Sequence, residues 1–424
     1  MKKKQINSDD YSLLDFVSIK SKDLFTKVDM FYDFISDACQ KGYTNSYLQT
    51  VTSPSSNKIK INENEKIREV IQMNTANYLG LAANPKIINE SKKILTQYGA
   101  SICSVPLISG TTDIHKELEK KLALFKNVEE VALFQTGYLA NIGTISAIVS
   151  NKDWVVIDRE VHHSIIEGVK ISGANFSRFR HSDCEHLEKV LRRIREKHND
   201  NGILVVVEGV YGIDGDIAPL PDIINLCNKY AAKIMIDDAH STGILGKNGA
   251  GLVSHFGVEG KVDIVMDSLS KSLGSFGGFI GGSKELINYL RYFSKPISFS
   301  VNLPPVCVAA ALAALEIINS DKSFVNKVRD NANFMRNELS NLGLKNVNKS
   351  ASSIMSIIIG DEVKLRQITI ELLQKGLWVE GIPYPAVQRG QERVRIRVNA
   401  NHSIIDLKNA VKILKIVLTK YGVI

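Results

Sequence analysis

The sequence predicts an α/β fold with a large, mainly parallel sheet, because two patterns alternate through the middle of the chain. Short apolar runs rich in β-branched residues are predicted as strands, and segments between them, such as 186–197 and 221–230, have helical periodicity. Alternating strands and helices require crossover connections, which cover both faces of a parallel sheet with helices. The predicted strands span residues 131–134, 154–157, 203–207, 233–236, 263–266 and 278–281.

The rest of the chain predicts two further regions, since 424 residues exceed one ordinary domain. Residues 1–75 are predicted as an N-terminal arm that precedes a large domain at 76–303. The arm contains a polar loop at 52–57 and an amphipathic helix. The predicted apolar face of this helix consists of Leu24, Val28, Phe31, Phe34 and Ile35.

Residues 304–424 predict a smaller α+β domain. A long helix starts after Pro304-Pro305 and is expected to break near Asp321. The elements expected after it are a strand at 353–359, a helix at 362–375, a strand at 394–398 and a closing helix at 404–421.

Composition and charge exclude several classes of partner. The net charge of +8 is spread along the chain, so we predict no nucleic-acid binding. The five cysteines form no CxxC pair and no His or Cys cluster has metal-ligand spacing, so we expect reduced thiols and no metal site. A polar stretch follows the N-terminal lysines, and Pro304-Pro305 interrupts the longest uncharged stretch. We therefore expect no signal peptide, no membrane span and a cytoplasmic protein.

A lysine and an acid in the middle of the chain carry the chemical prediction. Lys271 stands in a loop of small residues, and Asp237 ends a predicted buried strand 34 residues earlier, followed by His240. Pyridoxal phosphate needs a lysine amine for its Schiff base and a carboxylate that keeps its pyridine nitrogen protonated. Ligands of parallel sheets bind beyond the carboxyl ends of the strands, where other polar residues are also expected. These other residues are Asp158, Glu208 and Ser268.

Motifs from about residue 77 to 396 resemble those of the α-oxoamine synthases. The matching stretches are 77–82, 109–111 with His115, 136–141, His162 with Ser164, 208–216, 237–240, 270–271 and 393–396. This family includes serine palmitoyltransferase, glycine C-acetyltransferase, 5-aminolevulinate synthase and 8-amino-7-oxononanoate synthase. The resemblance implies a fold-type I pyridoxal phosphate-dependent transferase, with the large sheet domain and a smaller C-terminal α+β domain.

The resemblance also implies roles for individual residues. Lys271 is expected to bind the cofactor and to act as the base at the substrate's Cα, and Asp237 is expected to pair with the pyridinium nitrogen. His162 is expected to stack on the cofactor ring, and His240 to donate to its phenolic oxygen. The other expected cofactor contacts are Thr136, Gly137, Tyr138, Glu208 and Ser268, together with Ser300 reaching the phosphate in the partner subunit of a homodimer. Expected contacts of the substrate carboxylate are Arg395 and Asn77.

The chain departs from the family pattern in the segment that precedes Ser109. Many members have an arginine there, whereas this chain has the apolar run 105–108. Apolar side chains favour an alkyl chain, so we predict a medium or long acyl donor in place of acetyl. The alternative is that this loop packs inside the domain. Three smaller departures are His163 in place of a small residue, Gly212 in place of serine and Asp238 in place of glutamate.

The function implied is a decarboxylating condensation of a small amino acid with an acyl thioester, carried by coenzyme A or by an acyl carrier protein. The sequence leaves two alternatives open. A fold-type I aminotransferase would use the same lysine and aspartate, and a spectral change to the pyridoxamine form with amino acid alone would favour it. A non-catalytic partner subunit would be favoured by failure to bind the cofactor, although Lys271 is intact.

Overall fold

A computed structural model describes residues 6–43, 48–63, 65–344, 347 and 350–424. The chain divides into two compact units. The central unit contains Ala76–Asp330 and Ser350–Ser353, and the terminal unit contains Met1–Thr75, Asn331–Lys349 and Ile354–Ile424. The predicted division differs, because residues 1–75 share a unit with the C-terminal residues and residues 304–330 belong to the central unit.

The elements follow one another along the chain in this order. The first are α1 (Thr26–Gln40), β1 (Thr50–Val51), β2 (Lys58–Glu63) and β3 (Lys66–Gln72). Next are α2 (Pro85–Tyr98), α3 (Asp113–Lys126), β4 (Glu130–Phe134), α4 (Gly137–Ile148), β5 (Trp154–Asp158), α5 (His163–Ser172), β6 (Asn175–Phe179), α6 (Cys184–Lys197), β7 (Ile203–Glu208) and α7 (Leu220–Lys229). Then come β8 (Lys233–Asp237), α8 (Leu252–Phe256), β9 (Ile264–Ser268), β10 (Gly278–Gly282), α9 (Lys284–Phe293), α10 (Lys295–Phe299) and α11 (Pro305–Ser320). The last are α12 (Ser323–Asn341), β11 (Ile354–Ile358), α13 (Glu362–Gln374), β12 (Leu377–Trp378), β13 (Glu380–Ile382), β14 (Arg393–Arg397) and α14 (Ile404–Lys420).

The central unit is built on a mainly parallel sheet, as predicted. Among the described residues the sheet has seven strands in the order β4-β10-β9-β8-β7-β5-β6, and β10 alone runs antiparallel to its neighbours. All six predicted strands are present. The strand that the sequence did not predict is β6, which lies at an edge of the sheet and has mostly exposed or half-buried side chains. An edge strand of this kind lacks the continuous apolar run that marks buried parallel strands.

The terminal unit contains two smaller sheets. One has the order β1-β2-β3-β12, and the other is the antiparallel sheet β11-β14-β13. The predicted elements of the C-terminal region are confirmed, including the helix break near Asp321, which separates α11 from α12. The predicted arm did not include β1, β2 and β3, whose short alternating runs are interrupted by charged residues.

The predicted N-terminal helix is confirmed as α1, but its predicted apolar face is only partly correct. Phe34 is buried against Phe16 and Ile6, and Phe31 and Ile35 pack on the same cluster. Leu24 lies before the helix begins and is 80% exposed, and Val28 is 52% exposed. In the described part of the chain no helix is both long enough and apolar enough to cross a membrane.

Candidate active site

A cavity of about 220 Å³ in the central unit brings together most of the predicted site residues. The last residues of three strands, Glu208, Asp237 and Ser268, line it. The other predicted residues that line it are Thr136, Gly137, Tyr138, His162, His240 and Lys271. Four lining residues had no role in the sequence prediction, namely Asn141, Ser164, Met266 and Ser270. The cavity therefore lies where ligands of parallel sheets bind.

Asp237 is held by an amide side chain that the sequence analysis did not assign. One N–H of Asn141 donates to Oδ2 of Asp237 at 2.8 Å, and Nδ2 of Asn141 also donates to Ser164 Oγ at 2.9 Å. Ser164 Oγ lies 2.8 Å from Nδ1 of His162. A chain of polar contacts thus joins the residue predicted to stack on the cofactor to the carboxylate predicted to bind its ring nitrogen. Asn141 stands one helical turn after Gly137, and this spacing is the sequence signal that indicates its position.

His240 is fixed from two sides. The hydroxyl of Tyr78, which is fully buried, lies 2.7 Å from Nδ1 of His240. On the other side, a Cβ added to Gly212 would lie 2.7 Å from His240 Nε2. Gly212 therefore leaves room for the imidazole, and a serine there would require His240 to move. The sequence signal for Tyr78 is its place in the stretch 77–82.

The first turn of α4 lines part of the cavity, and β10 packs closely against it. Thr136 caps this helix, and its side-chain oxygen accepts a hydrogen bond from Leu139 N at 3.0 Å. A Cβ on Gly278 would lie 2.6 Å from Gly137 Cα, so β10 passes close to the first turn of the helix. Ser268 Oγ, 2.8 Å from Ser270 Oγ, lies in the same cavity. Helix N–H groups and hydroxyls together suit a phosphate group.

Glu208 is a buried carboxyl group between two loops. Its carboxylate accepts hydrogen bonds from His162 N at 2.5 Å and from Gly212 N at 3.3 Å. Burial and the nearby carboxylate of Asp237 raise the pKa of Glu208 well above its usual value, although Lys271 opposes the rise. Glu208 thus positions the backbone of the two loops that carry His162 and Gly212.

Asp158, the other predicted strand-end residue, has a different role. It does not line the cavity; its carboxylate instead contacts His181 Nδ1 at 2.9 Å and accepts from Ser182 N at 2.8 Å. His181 Nε2 contacts Asp216 at 2.5 Å. Burial disfavours the charged imidazole, but the two carboxylates outweigh it and raise the pKa of His181 to about 10. Asp158 therefore stabilises loops at the edge of the site.

Three predicted residues are outside the set that lines this cavity. Ser300 is half-buried in the central unit, between the exposed Phe299 and Val301. Asn77 is buried, and its side-chain oxygen accepts a hydrogen bond from Ala82 N at 3.4 Å. Arg395 lies on β14 of the terminal unit and forms an ion pair with Glu380 at 2.7 Å.

Three departures from the family pattern, at His163, in the run 105–108 and at Asp238, differ in their burial. His163 is largely exposed and contacts Glu167 at 3.1 Å. Leu107 and Ile108 are 39% and 80% exposed, so these two side chains do not pack inside the domain. Asp238 is fully buried against Lys126.

A larger cavity, of about 550 Å³, lies at the opposite ends of the strands of the same sheet. It is lined by residues at the starts of β7, β8 and β9, and its Asp263 already pairs with Lys233 at 2.7 Å. It contains neither a histidine nor a cysteine. Among the described residues no group of His, Cys, Asp and Glu side chains could hold a metal ion.

The residues of the smaller cavity fit pyridoxal phosphate. The fit rests on the chemistry of the donor set, which combines an amine, an oriented carboxylate and a helix start with adjacent hydroxyls. Lys271 would bind the aldehyde carbon, Asp237 the ring nitrogen, and Thr136, Gly137 and Ser268 the phosphate.

Comparisons with known proteins agree with this fold and site. A profile of the family "Aminotransferase class I and II" matches residues 68–414. The chain is 39% identical over 348 residues to 8-amino-7-oxononanoate synthase 1 of Bacillus subtilis (strain 168), covering 82% of this chain and 88% of that protein. It is also 39% identical over 348 residues to the 8-amino-7-oxononanoate synthase of Alkaliphilus metalliredigens (strain QYMF), covering 82% and 87%. The solved structure of Sphingomonas wittichii serine palmitoyltransferase superposes with a TM-score of 0.90 at 30% identity, covering 95% of this chain and 100% of that chain.

The fold and site define a fold-type I transferase of the pyridoxal phosphate-dependent class. The chain belongs to the aminotransferase class I and II family and, within it, to the α-oxoamine synthases, which join amino acids to acyl thioesters with loss of the amino acid's carboxyl group. The resemblance seen in the sequence motifs is therefore confirmed.

Proposed function

We propose that this chain is a pyridoxal phosphate-dependent acyltransferase that condenses a small amino acid with an acyl thioester and releases an α-amino ketone. A carbon–carbon bond forms between the amino acid's Cα and the acyl carbonyl carbon, and the thioester C–S bond breaks. The bond from Cα to the carboxyl group then breaks, so that carbon dioxide and a free thiol leave and one proton is taken up. The observation that carries the proposal is the convergence of Lys271, Asp237 and His162 on one strand-end cavity.

The residues of the cavity have separate tasks in this reaction. Pyridoxal phosphate supplies an electron sink for the negative charge that develops at Cα. Asp237 holds the ring nitrogen protonated, and Asn141 keeps the carboxylate in position through the 2.8 Å hydrogen bond. The amine of Lys271 takes the proton from Cα and later returns a proton to the same carbon. If the Tyr78 hydroxyl donates to Nδ1 of His240, the imidazole proton is on Nε2, from which it would donate to the phenolic oxygen of the cofactor.

Arg395 is proposed to bind the carboxylate of the amino acid, assisted by Asn77. A guanidinium suits a planar carboxylate because it offers parallel N–H donors. In the terminal unit Glu380 Oε2 contacts both Arg395 Nη2 at 2.7 Å and Arg397 Nη1 at 3.1 Å. These ion pairs support the proposal in one respect, since both guanidinium groups contact a carboxylate in the folded chain.

The acyl donor is proposed to carry a medium or long chain. The run 105–108 presents Leu107 and Ile108 to solvent, and the loop is tied to the segment around Ser300, since Asn302 Nδ2 donates to Gly110 O at 3.0 Å. An alkyl chain gains about 0.8 kcal/mol for each CH₂ group that such side chains remove from water. Coenzyme A and acyl carrier protein both remain possible carriers of this donor.

The active assembly is proposed to be a cytoplasmic homodimer. Ser300 stands between Phe299, which is 83% exposed, and Val301, which is 50% exposed. Large exposed apolar side chains next to a hydroxyl that resembles a cross-subunit phosphate contact fit an interface between copies. Sedimentation velocity of the purified protein with its cofactor should give a dimer, and a fully active stable monomer would contradict this assignment.

The reaction is tested with glycine, alanine and serine, each labelled with ¹³C at the carboxyl carbon. Each is incubated with the protein, pyridoxal phosphate and acyl thioesters of increasing chain length on coenzyme A or acyl carrier protein. We expect labelled carbon dioxide and free thiol in equal amounts, and an amino ketone of the corresponding mass, only when both substrates are present. Retention of the label in an oxo acid without acyl donor would instead identify an aminotransferase.

A further inference from the structure

A second cluster of charged side chains in the central unit contains a buried lysine that the proposed chemistry does not use. Lys126, the last residue of α3, has a side chain that is 2% exposed, and the carboxylates of Asp238 and Asp267 beside it are fully buried. Buried lysines are rare unless they are paired.

The ammonium of Lys126 is saturated with acceptors. It donates hydrogen bonds to Asp238 Oδ2 at 2.7 Å, Thr242 Oγ1 at 2.5 Å and Ala250 O at 3.0 Å. It also lies 2.8 Å from Asp267 Oδ2, which accepts the hydroxyl of Thr242 at 2.5 Å. The three hydrogens of the ammonium group thus each have a partner.

The network is connected to three segments that line the cavity. Asp238 follows Asp237, and Asp267 Oδ1 accepts the backbone N–H of Ser268 at 2.7 Å. Ser272, which follows Lys271, donates its hydroxyl to the carbonyl of Thr242 at 2.5 Å. The network therefore reaches the three segments that carry the predicted ligands of the ring nitrogen, the phosphate and the aldehyde.

The surrounding backbone leaves room for the buried carboxylate of Asp238. Gly251 has a φ of +103°, and a Cβ there would lie 1.8 Å from Asp238 Oδ2. A Cβ on Gly209 would lie 2.6 Å from Asp238 Oδ1. Oδ1 also accepts the backbone N–H of Leu252 at 3.0 Å, so both carboxylate oxygens are satisfied. The backbone of Gly209 and Gly251 thus packs closely against the carboxylate of Asp238.

The electrostatics of the network favour the charged form of Lys126, whereas burial raises the pKa of Asp267. Burial lowers the pKa of Lys126, but the carboxylates of Asp238 and Asp267 outweigh it, and the pKa is raised. The position of the lysine adds to this effect, because the C-terminal end of a helix favours a cation. A charged ammonium makes stronger hydrogen bonds to its acceptors than a neutral donor would.

We propose that Lys126 is a positioning residue for the cofactor site, which fixes the segments that carry Asp237, Ser268 and Lys271 through Asp238, Asp267 and Thr242. This inference rests on the proposed binding of pyridoxal phosphate in the strand-end cavity. Lys126 does not line that cavity, so its effect on the cofactor passes through these three neighbours.

The test compares Lys126→Met with Lys121→Met, a matched substitution on the same helix. Lys121 pairs with Glu117 and Glu316 at the surface, so its loss removes ion pairs without touching the network. Titration of the apo proteins with pyridoxal phosphate should show that Lys126→Met raises the Kd about tenfold and shifts the visible absorption band of the bound cofactor. The Lys121→Met protein should match the unaltered protein. A folded Lys126→Met protein with an unchanged Kd and band would overturn the proposal.

Lys126→Met leaves the buried carboxylates of Asp238 and Asp267 without their cation and could prevent folding. A second variant, which also removes these two charges, covers that case. The triple variant Lys126→Met, Asp238→Asn and Asp267→Asn leaves no buried charge in the network, and we expect it to bind the cofactor more weakly than the unaltered protein. Equal binding would overturn the proposal.

Hydrogen exchange of the unaltered protein provides a measurement that needs no substitution. Adding pyridoxal phosphate should slow exchange at Gly251 and Leu252, which lie outside the cavity but bond to Leu245 O and Asp238. Unchanged exchange there would overturn the proposal. If the unaltered protein did not bind the cofactor at all, the proposed function itself would fail, and this outcome is distinct from the others.

Discussion

The side-chain amide of Asn141 donates a hydrogen bond to Oδ2 of Asp237 across 2.8 Å in the buried interior of the central unit. Oδ1 of Asp237 accepts the backbone N–H of Ala239 at 3.2 Å, so the carboxylate is held at both oxygens. A carboxylate in this state is pre-oriented before any ligand enters. The orientation of the Asp237 carboxylate is therefore a property of the folded chain.

Replacement of Asn141 by alanine should weaken both cofactor binding and turnover. A hydrogen bond to a charged group contributes about 1.5–3 kcal/mol, which corresponds to a loss of about 10- to 100-fold. Cofactor titration and kcat measure the two effects. Asn228→Ala, at an exposed position on α7, is the control and should leave both unchanged. An Asn141→Ala enzyme with full activity would contradict the assignment.

Replacement of Tyr78 by phenylalanine tests the fixation of His240. The variant loses only the hydroxyl that lies 2.7 Å from Nδ1, so the fold should be kept while the imidazole loses its fixed tautomer. We expect kcat to fall by about fivefold, since a typical hydrogen bond contributes about 1 kcal/mol. Tyr230→Phe removes a hydroxyl that contacts Glu188 instead and serves as control. Equal rates for the two variants would speak against the role of Tyr78.

Replacement of Gly212 by alanine should displace His240 and reduce activity, because the new Cβ would lie 2.7 Å from Nε2. The same substitution should be less harmful in a Tyr78→Phe background, where the imidazole has lost its contact with the Tyr78 hydroxyl. Non-additive kcat values in this double-mutant cycle would confirm that the two residues act on one side chain. Strict additivity would show that they act separately.

The stability of the protein should decrease at alkaline pH through His181. The pKa of this imidazole is raised to about 10 in the folded protein, whereas an exposed histidine has a pKa of about 6.5. Its stabilisation is therefore complete below about pH 6.5 and is lost as the pH rises towards 10. At about 1.4 kcal/mol for each tenfold change in proton affinity, the loss is on the order of 5 kcal/mol.

Urea unfolding between pH 6 and 10 measures this effect. The variant His181→Gln should be less stable than the unaltered protein at pH 6, and the difference should shrink as the pH rises. His255→Gln, on the short helix α8, is a matched control that should leave the pH dependence unchanged. A constant difference between His181→Gln and the unaltered protein across this range would contradict the assignment.

Much of the fold followed from the sequence because local patterns determine it. The buried strands have continuous apolar runs, and Asp237 and Ser268 end such runs, so their place at the cavity was predictable. Edge strand β6 and the N-terminal strands β1 and β2 lack this signal, since their side chains are partly exposed.

The contacts that complete the site were not predictable in the same way. Tyr78 and His240 are 162 residues apart, Asn141 and Asp237 are 96 apart, and Lys126 and Asp238 are 112 apart. Each pair meets only because the fold brings distant segments together. In the sequence, Lys126 has the appearance of an ordinary lysine at the end of an amphipathic helix, since nothing local marks its burial.

The most direct test of the account is to identify the lysine that binds pyridoxal phosphate. The protein is mixed with the cofactor, reduced with borohydride and digested, and the labelled peptide is sequenced by mass spectrometry, with Lys271→Ala as control. We predict a single label on Lys271 and none in the variant, because the amine of Lys271 is placed in the cavity with Asp237 and the start of α4. A label on another lysine, or an unchanged label in the variant, would contradict the account.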